Sequence, residues 1–88
     1  MAESILDLRN LGPRSAQMLQ RAGVATPEAL RTLGAVDAYI KVLRTGAKPS
    51  LNLLWALEGA IQDIPWQEIA HAQRRVLLDR LDSRRKEI

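Results

Sequence analysis

The chain has no cysteine and no phenylalanine, and only one histidine, one tyrosine and two tryptophans. Without cysteine there is no disulfide framework, no thiolate metal site and no cysteine nucleophile. His71 has no second histidine to work with, and no acid pair is spaced to hold an ion, so neither a metal nor any other cofactor is expected. The histidine reads as a surface or half-buried structural residue. Each serine has a duller role than that of a nucleophile, as helix cap, helix residue or tail. Glu58, on an apolar helix, reads as an edge residue paired with a neighbouring Arg or Lys. The expectation is therefore that the protein is not an enzyme. Long hydrophobic runs are also missing. Leu53-Leu54-Trp55-Ala56-Leu57 is far too short to cross a bilayer, and Met1-Ala2-Glu3 has neither the basic start nor the apolar run of a signal peptide. A cytoplasmic protein with no membrane partner is expected.

What is present is aliphatic. The chain is 47% hydrophobic and 26% charged, and with so few aromatics the core must be built from Leu, Ala, Ile and Val. Such a composition favours helices over sheets. At 88 residues it fits one domain spanning the whole chain, with a core from about residue 4 to 83 and a frayed basic tail from 84 to 88. The net charge is +3, which permits a nucleic-acid partner without demanding one. Its distribution says more. Leu8 to Pro27 holds three arginines and no acid, Gly34 to Asp63 is balanced three against three, and the part from Ile64 onward has six basic and four acidic residues.

The acid-free interval contains Leu8-Arg9-Asn10-Leu11-Gly12-Pro13-Arg14-Ser15, which is how a helix–hairpin–helix turn is written. Asn10 and Gly12 are the residue types that reach positive φ most cheaply, with one apolar residue pinned between them. Pro13 suits the first position of the following helix. The free amides at the start of that helix would form a phosphate seat flanked by Arg9 and Arg14. Read more plainly, the same stretch is a tight connection between two packed helices with solvated arginines.

The rest of the chain continues as short helices. A first, from about Ser4 to Arg9, carries Ile5 and Leu8. A second, from Pro13 to Ala22, stops at Gly23; Ala16, Leu19 and Ala22 face inward with help from Met18, and Arg14, Gln17 and Arg21 face outward. Thr26 caps a third helix that ends at Leu33, and a fourth carries Val36, Tyr39, Ile40 and Leu43 inward, with Asp37 and Lys41 as an outer pair. The fifth, from about Ser50 to Gln62, is apolar nearly all round and belongs in the centre. Gly59 within it implies the close approach of another helix. A last helix, beginning between Gln67 and Ala72 and ending near Ser83, presents Ile69, Val76, Leu77 and Leu81 inward. Trp55 and Trp66 read as core and corner fillers rather than as base-stacking platforms. Leu43-Arg44-Thr45-Gly46-Ala47-Lys48-Pro49-Ser50 echoes the first turn, with a single glycine and no apolar pin, and makes Lys48 a further candidate phosphate contact.

Leu8–Ser15, continuing through Ala22-Gly23-Val24, Leu33-Gly34-Ala35 and Ser50-Leu51-Asn52-Leu53-Leu54-Trp55-Ala56-Leu57-Glu58-Gly59-Ala60, resembles the C-terminal domain of TfoX/Sxy proteins over roughly Asp7 to Leu81. The resemblance implies an all-α, helix–hairpin–helix or SAM-like bundle. It also implies a bacterial co-regulator of competence for DNA transformation. Full-length relatives carry an α/β domain ahead of this one, and the family supplies no catalytic motif.

Together these readings predict a compact all-α bundle of five to six short helices that contacts DNA weakly and without sequence preference. The candidate contacts are Arg9, Asn10, Gly12, Arg14, Ser15, Arg21 and Lys48. A protein partner in transcription regulation would then supply specificity. The alternative is a protein-interaction or dimerisation module that binds no DNA, so both a monomer and a homodimer remain open.

Overall fold

A computed structural model describes residues 4–86. A single 3-10 turn, Ile5–Asp7, leads into six helices: α1 Pro13–Arg21, α2 Pro27–Leu33, α3 Ala35–Arg44, α4 Leu51–Gln62, α5 Trp66–Ala72 and α6 Arg74–Lys86. The described residues contain no strand, so the chain is all-α.

The first element is a 3-10 turn and not the α-helix expected over Ser4–Arg9. Five or six residues cannot repay helix nucleation. Leu8 is extended, at φ −81° and ψ 143°, to carry the chain into the hairpin. The backbone N–H of Ser4 donates to Asp7 Oδ2 at 2.9 Å and tightens the turn. α1 closes on Gly23 at φ +85°, with Gly23 N bonded to the Gln20 carbonyl at 3.0 Å and Val24 N to that of Leu19 at 2.8 Å. Those two bonds satisfy the last carbonyls of the helix and turn Val24 into the core. Thr26 Oγ1 accepts from Ala29 N at 3.1 Å, capping α2 as expected.

α4 is the central helix. Leu53, Leu54, Trp55, Ala56, Leu57 and Ala60 are all buried on it, and only Leu51 at its first turn is open to solvent among the large apolar side chains. It packs against α3 and α5, while α3 also receives α1, α2 and α6. Leu19, Leu30, Leu54, Leu57, Ile69 and Leu77 are fully buried, and among the described residues no polar or charged side chain joins them.

The expected last helix is two helices. They meet at Gln73, whose N–H closes α5 on the Ile69 carbonyl at 2.8 Å and whose carbonyl starts α6 by accepting from Leu77 N at 3.0 Å. The Gln73 side chain is held in both directions by Gln62 at the end of α4, at 3.0 and 3.3 Å. The bend lets Ile69 and Leu77 both reach the core, and it rotates Val76, expected inward, out to 51% exposure. α6 continues through Arg84, Arg85 and Lys86, the first three residues of the expected tail; the last two, 87 and 88, lie outside the described residues. Arg84 Nε binds Asp37 Oδ1 at 2.8 Å, which takes Asp37 as a partner in place of the expected Lys41.

Candidate nucleic-acid interface

The hairpin is built on one left-handed residue, not two. Asn10 has φ +73°, but Gly12 has φ −109° and ψ −172°, an extended conformation open to any residue. Gly12 serves instead as the N-cap of α1, and a β-carbon there would meet nothing within 4 Å. Leu11 between them is the expected apolar pin, 6% exposed.

Asn10 is committed structurally. Its Nδ2 donates to the Ile64 carbonyl at 2.9 Å, and its Oδ1 accepts from Trp66 N at 3.1 Å. Both ends of the amide thus bind the turn between α4 and α5, which itself pivots on a left-handed Asp63 at φ +59°. This is the reason for Gly59. A β-carbon at that position would collide with Asn10 Nδ2 and with the Ile64 carbonyl oxygen. The close approach inferred at Gly59 is real, but the visitor is a hairpin side chain and a carbonyl, not another helix.

Arg9 is also engaged, its Nε lying 3.1 Å from Asp63 Oδ1 in an exposed pair. Arg14 and Arg21 differ. Both are exposed on α1, and neither is paired with an acid among the described residues. The first bond of the α1 ladder, Ala16 N to the Gly12 carbonyl at 2.9 Å, leaves the Arg14 and Ser15 amides ahead of it. Pro13 has no N–H, Gly12 has no side chain to cap the end, and the first turn of α1 holds no acid. The structure therefore brings the Arg14 and Ser15 amides and the Arg14 side chain to one helix end, and places Arg21 at the other end of the same helix.

Lys48 stands apart, exposed on the connection between α3 and α4. That connection repeats the hairpin's chemistry more fully than its sequence suggests. Gly46 is left-handed at φ +92°, and Ala47 after it packs against the core as a small version of the Leu11 pin. Ser50 occupies the N-cap position of α4 without a side-chain bond. The Tyr39 hydroxyl anchors the connection by donating to the Pro49 carbonyl at 3.1 Å. Burial pushes this hydroxyl's pKa up from its ordinary value, against the opposing effect of Arg85.

The remaining expectations fall away from this face. Glu58 accepts from Gln62 Nε2 at 2.6 Å instead of from a basic side chain. His71 is exposed, Trp55 is buried and Trp66 is half-buried at the corner entering α5. Among the described residues no three acids or histidines come together to hold a metal ion, and no helix is long and apolar enough to cross a membrane.

Residues 1–81 match the family model of the TfoX C-terminal domain. The chain belongs to this family. The "DNA transformation protein TfoX" of Haemophilus influenzae is 29% identical to it over 76 residues, and the "DNA transformation protein TfoX1" of Aliivibrio fischeri is 30% identical over 76. These alignments cover 86% and 85% of this chain but only 35% and 36% of the relatives, so the chain spans about a third of their length. The fold also matches two crystal structures from Listeria monocytogenes. One, of an uncharacterized protein in a triclinic form, has a TM-score of 0.81 and 30% identity over 92% of both chains. The other, of a protein of unknown function in a tetragonal form, has a TM-score of 0.78 and 31% identity, covering 89% of this chain and 96% of that one. The TfoX C-terminal domain assignment made from the hairpin and the α4 sequence is thus shown, as is the all-α fold.

Proposed function

We propose that this domain makes a sequence-independent DNA contact at the start of α1, in a protein that regulates competence for DNA transformation. The observation that carries the reading is local. Two amides stand ahead of the α1 ladder, beside an arginine with no ion pair among the described residues and with no acid in the first turn. A phosphate at that position meets N–H donors, the positive end of the helix and a guanidinium together. Arg21 extends the positive charge along α1. Asn10 acts as a positioning residue, fixing the turn on the α4–α5 connection, and does not itself touch DNA. Contacts of this kind set register on the duplex and carry no sequence information, so a protein partner supplies specificity. The names of the curated relatives, both DNA transformation proteins, support the competence setting. The reading places the domain in the cytoplasm and gives it no catalytic step.

The test is an amide-resolved NMR titration of the domain with a short duplex of arbitrary sequence. The Gly12, Arg14 and Ser15 amides are expected to shift first and most. If duplex DNA leaves those amides unmoved, the reading passes to a protein partner.

A further inference from the structure

The corner between α5 and α6 gathers positive charge that the α1 site does not use. His71, Ala72, Arg74, Arg75, Leu78 and Asp79 line a concavity of about 470 Å³ there. Three of the six can carry positive charge, against one carboxylate. Arg74 is exposed, with its guanidinium 6.0 Å from the centroid of the buried Trp55 ring, a placement at the outer edge of cation–π range. Neither Arg74 nor Arg75 forms an ion pair among the described residues, even though Asp79 lies one turn beyond Arg75 on α6. Both arginines are exposed, so their charges stay on the surface where an anion can meet them. Arginine side chains lining a concave surface suit an oxyanion with several oxygens, which is the chemistry of a phosphate.

We propose that this corner, formed by His71, Arg74 and Arg75, is a second phosphate-contact surface, and that its occupant is the backbone of duplex DNA. This rests on the reading of α1 as a DNA contact and extends it to the far end of α5. The link is structural. α5 starts at Trp66, whose amide is held by the hairpin residue Asn10, and ends next to His71. Its seven residues span about 10 Å at 1.5 Å per residue. The hairpin and the corner are thus joined by one short rigid helix fastened to the hairpin at its near end. A duplex presents phosphates in series, so two fixed cationic points on one rigid body engage it better than one.

The experiment measures binding of the full chain to a duplex of arbitrary sequence across a salt series, for the parent, Arg75→Gln, Arg74→Gln/Arg75→Gln and Arg14→Gln/Arg21→Gln. Each lost phosphate contact flattens the slope of log K against log salt by about 0.9. Arg75→Gln is expected to flatten it by about one such step and the Arg74→Gln/Arg75→Gln pair by about two. Arg75 is exposed and lies away from the Trp55 contact of Arg74, so its single variant keeps the test valid if the change beside Trp55 disturbs folding. An unchanged slope in both corner variants, with the α1 pair still flattening it, overturns the corner and leaves α1 standing. The reverse pattern removes the α1 reading and keeps the corner. A parent that binds no duplex but shifts its His71 and Arg75 signals with inorganic phosphate overturns the assignment to DNA, because the corner then serves a free anion.

Discussion

The side-chain amide of Asn10 fills the space that a β-carbon on Gly59 would need. This single contact joins the hairpin before α1 to the middle of α4, across 49 residues of chain, and it holds the turn on which the functional reading rests. Gly59→Ala would improve intrinsic helix propensity by up to about 1 kcal/mol. It would also force Asn10 and the Ile64 carbonyl aside, and overpacking of this kind costs about 1–3 kcal/mol before any hydrogen bond is lost. We expect a net loss of about 2 kcal/mol by thermal or urea unfolding. In an Asn10→Gly background the same change should cost less, since one of the two colliding groups is gone. Equal costs in both backgrounds would mean the two residues do not meet.

Asn10 should be sensitive to substitution and Gly12 tolerant of it. Asn10→Gly keeps the left-handed backbone but gives up the bonds to Ile64 and Trp66, a loss of about 1–3 kcal/mol for the pair. Asn10→Ala adds the left-handed strain of about 1–2 kcal/mol and should be the worse of the two. Gly12→Ala should be mild, within about 1 kcal/mol, because Gly12 is extended and its β-carbon would meet open space. A severe Gly12→Ala with a silent Asn10→Ala would contradict the geometry of the turn.

Much of this was legible in the residues. Gly23 and Thr26 bound α1 and α2 where glycine and threonine chemistry places them, and the apolar surround of Leu53 to Ala60 marked α4 as central. Three features were not legible, each for a physical reason. The corner at Gln73 depends on a side-chain pair with Gln62, eleven residues away, and no local breaker announces it. Gly12 looked like a second left-handed position because glycine permits that conformation, yet permission is not requirement, and an N-cap glycine reads the same. The pairing of Arg9 with Asp63 spans 54 residues, and only the folded α4–α5 turn brings the two together. Of the seven candidate site residues, the structure brings Gly12, Arg14 and Ser15 together at the start of α1, places Arg21 at its end, binds Arg9 and Asn10 to the α4–α5 turn, and leaves Lys48 on a separate connection.

Asp63 should restrain binding. Its carboxylate stands 3.1 Å from Arg9 and occupies a guanidinium that a phosphate would otherwise meet. Asp63→Asn keeps a residue type that tolerates φ +59° and removes only an exposed ion pair, so stability should change by less than about 1 kcal/mol. DNA affinity at low salt should rise, and the salt slope should steepen by up to about 0.9 as Arg9 becomes available to a phosphate. A weaker complex in Asp63→Asn would show that the Arg9–Asp63 pair itself shapes the contact.

The central claim is that the α1 end of the hairpin holds DNA phosphates, and its most direct test is the salt dependence of duplex binding in Arg14→Gln/Arg21→Gln. Both side chains are exposed and unpaired among the described residues, so the variant should fold with stability within about 1 kcal/mol of the parent. With two contacts removed, binding should weaken on every sequence tested, and the slope of log K against log salt should fall by about 1.8. A folded variant that binds duplex DNA with the parent's affinity and the parent's slope would contradict the account.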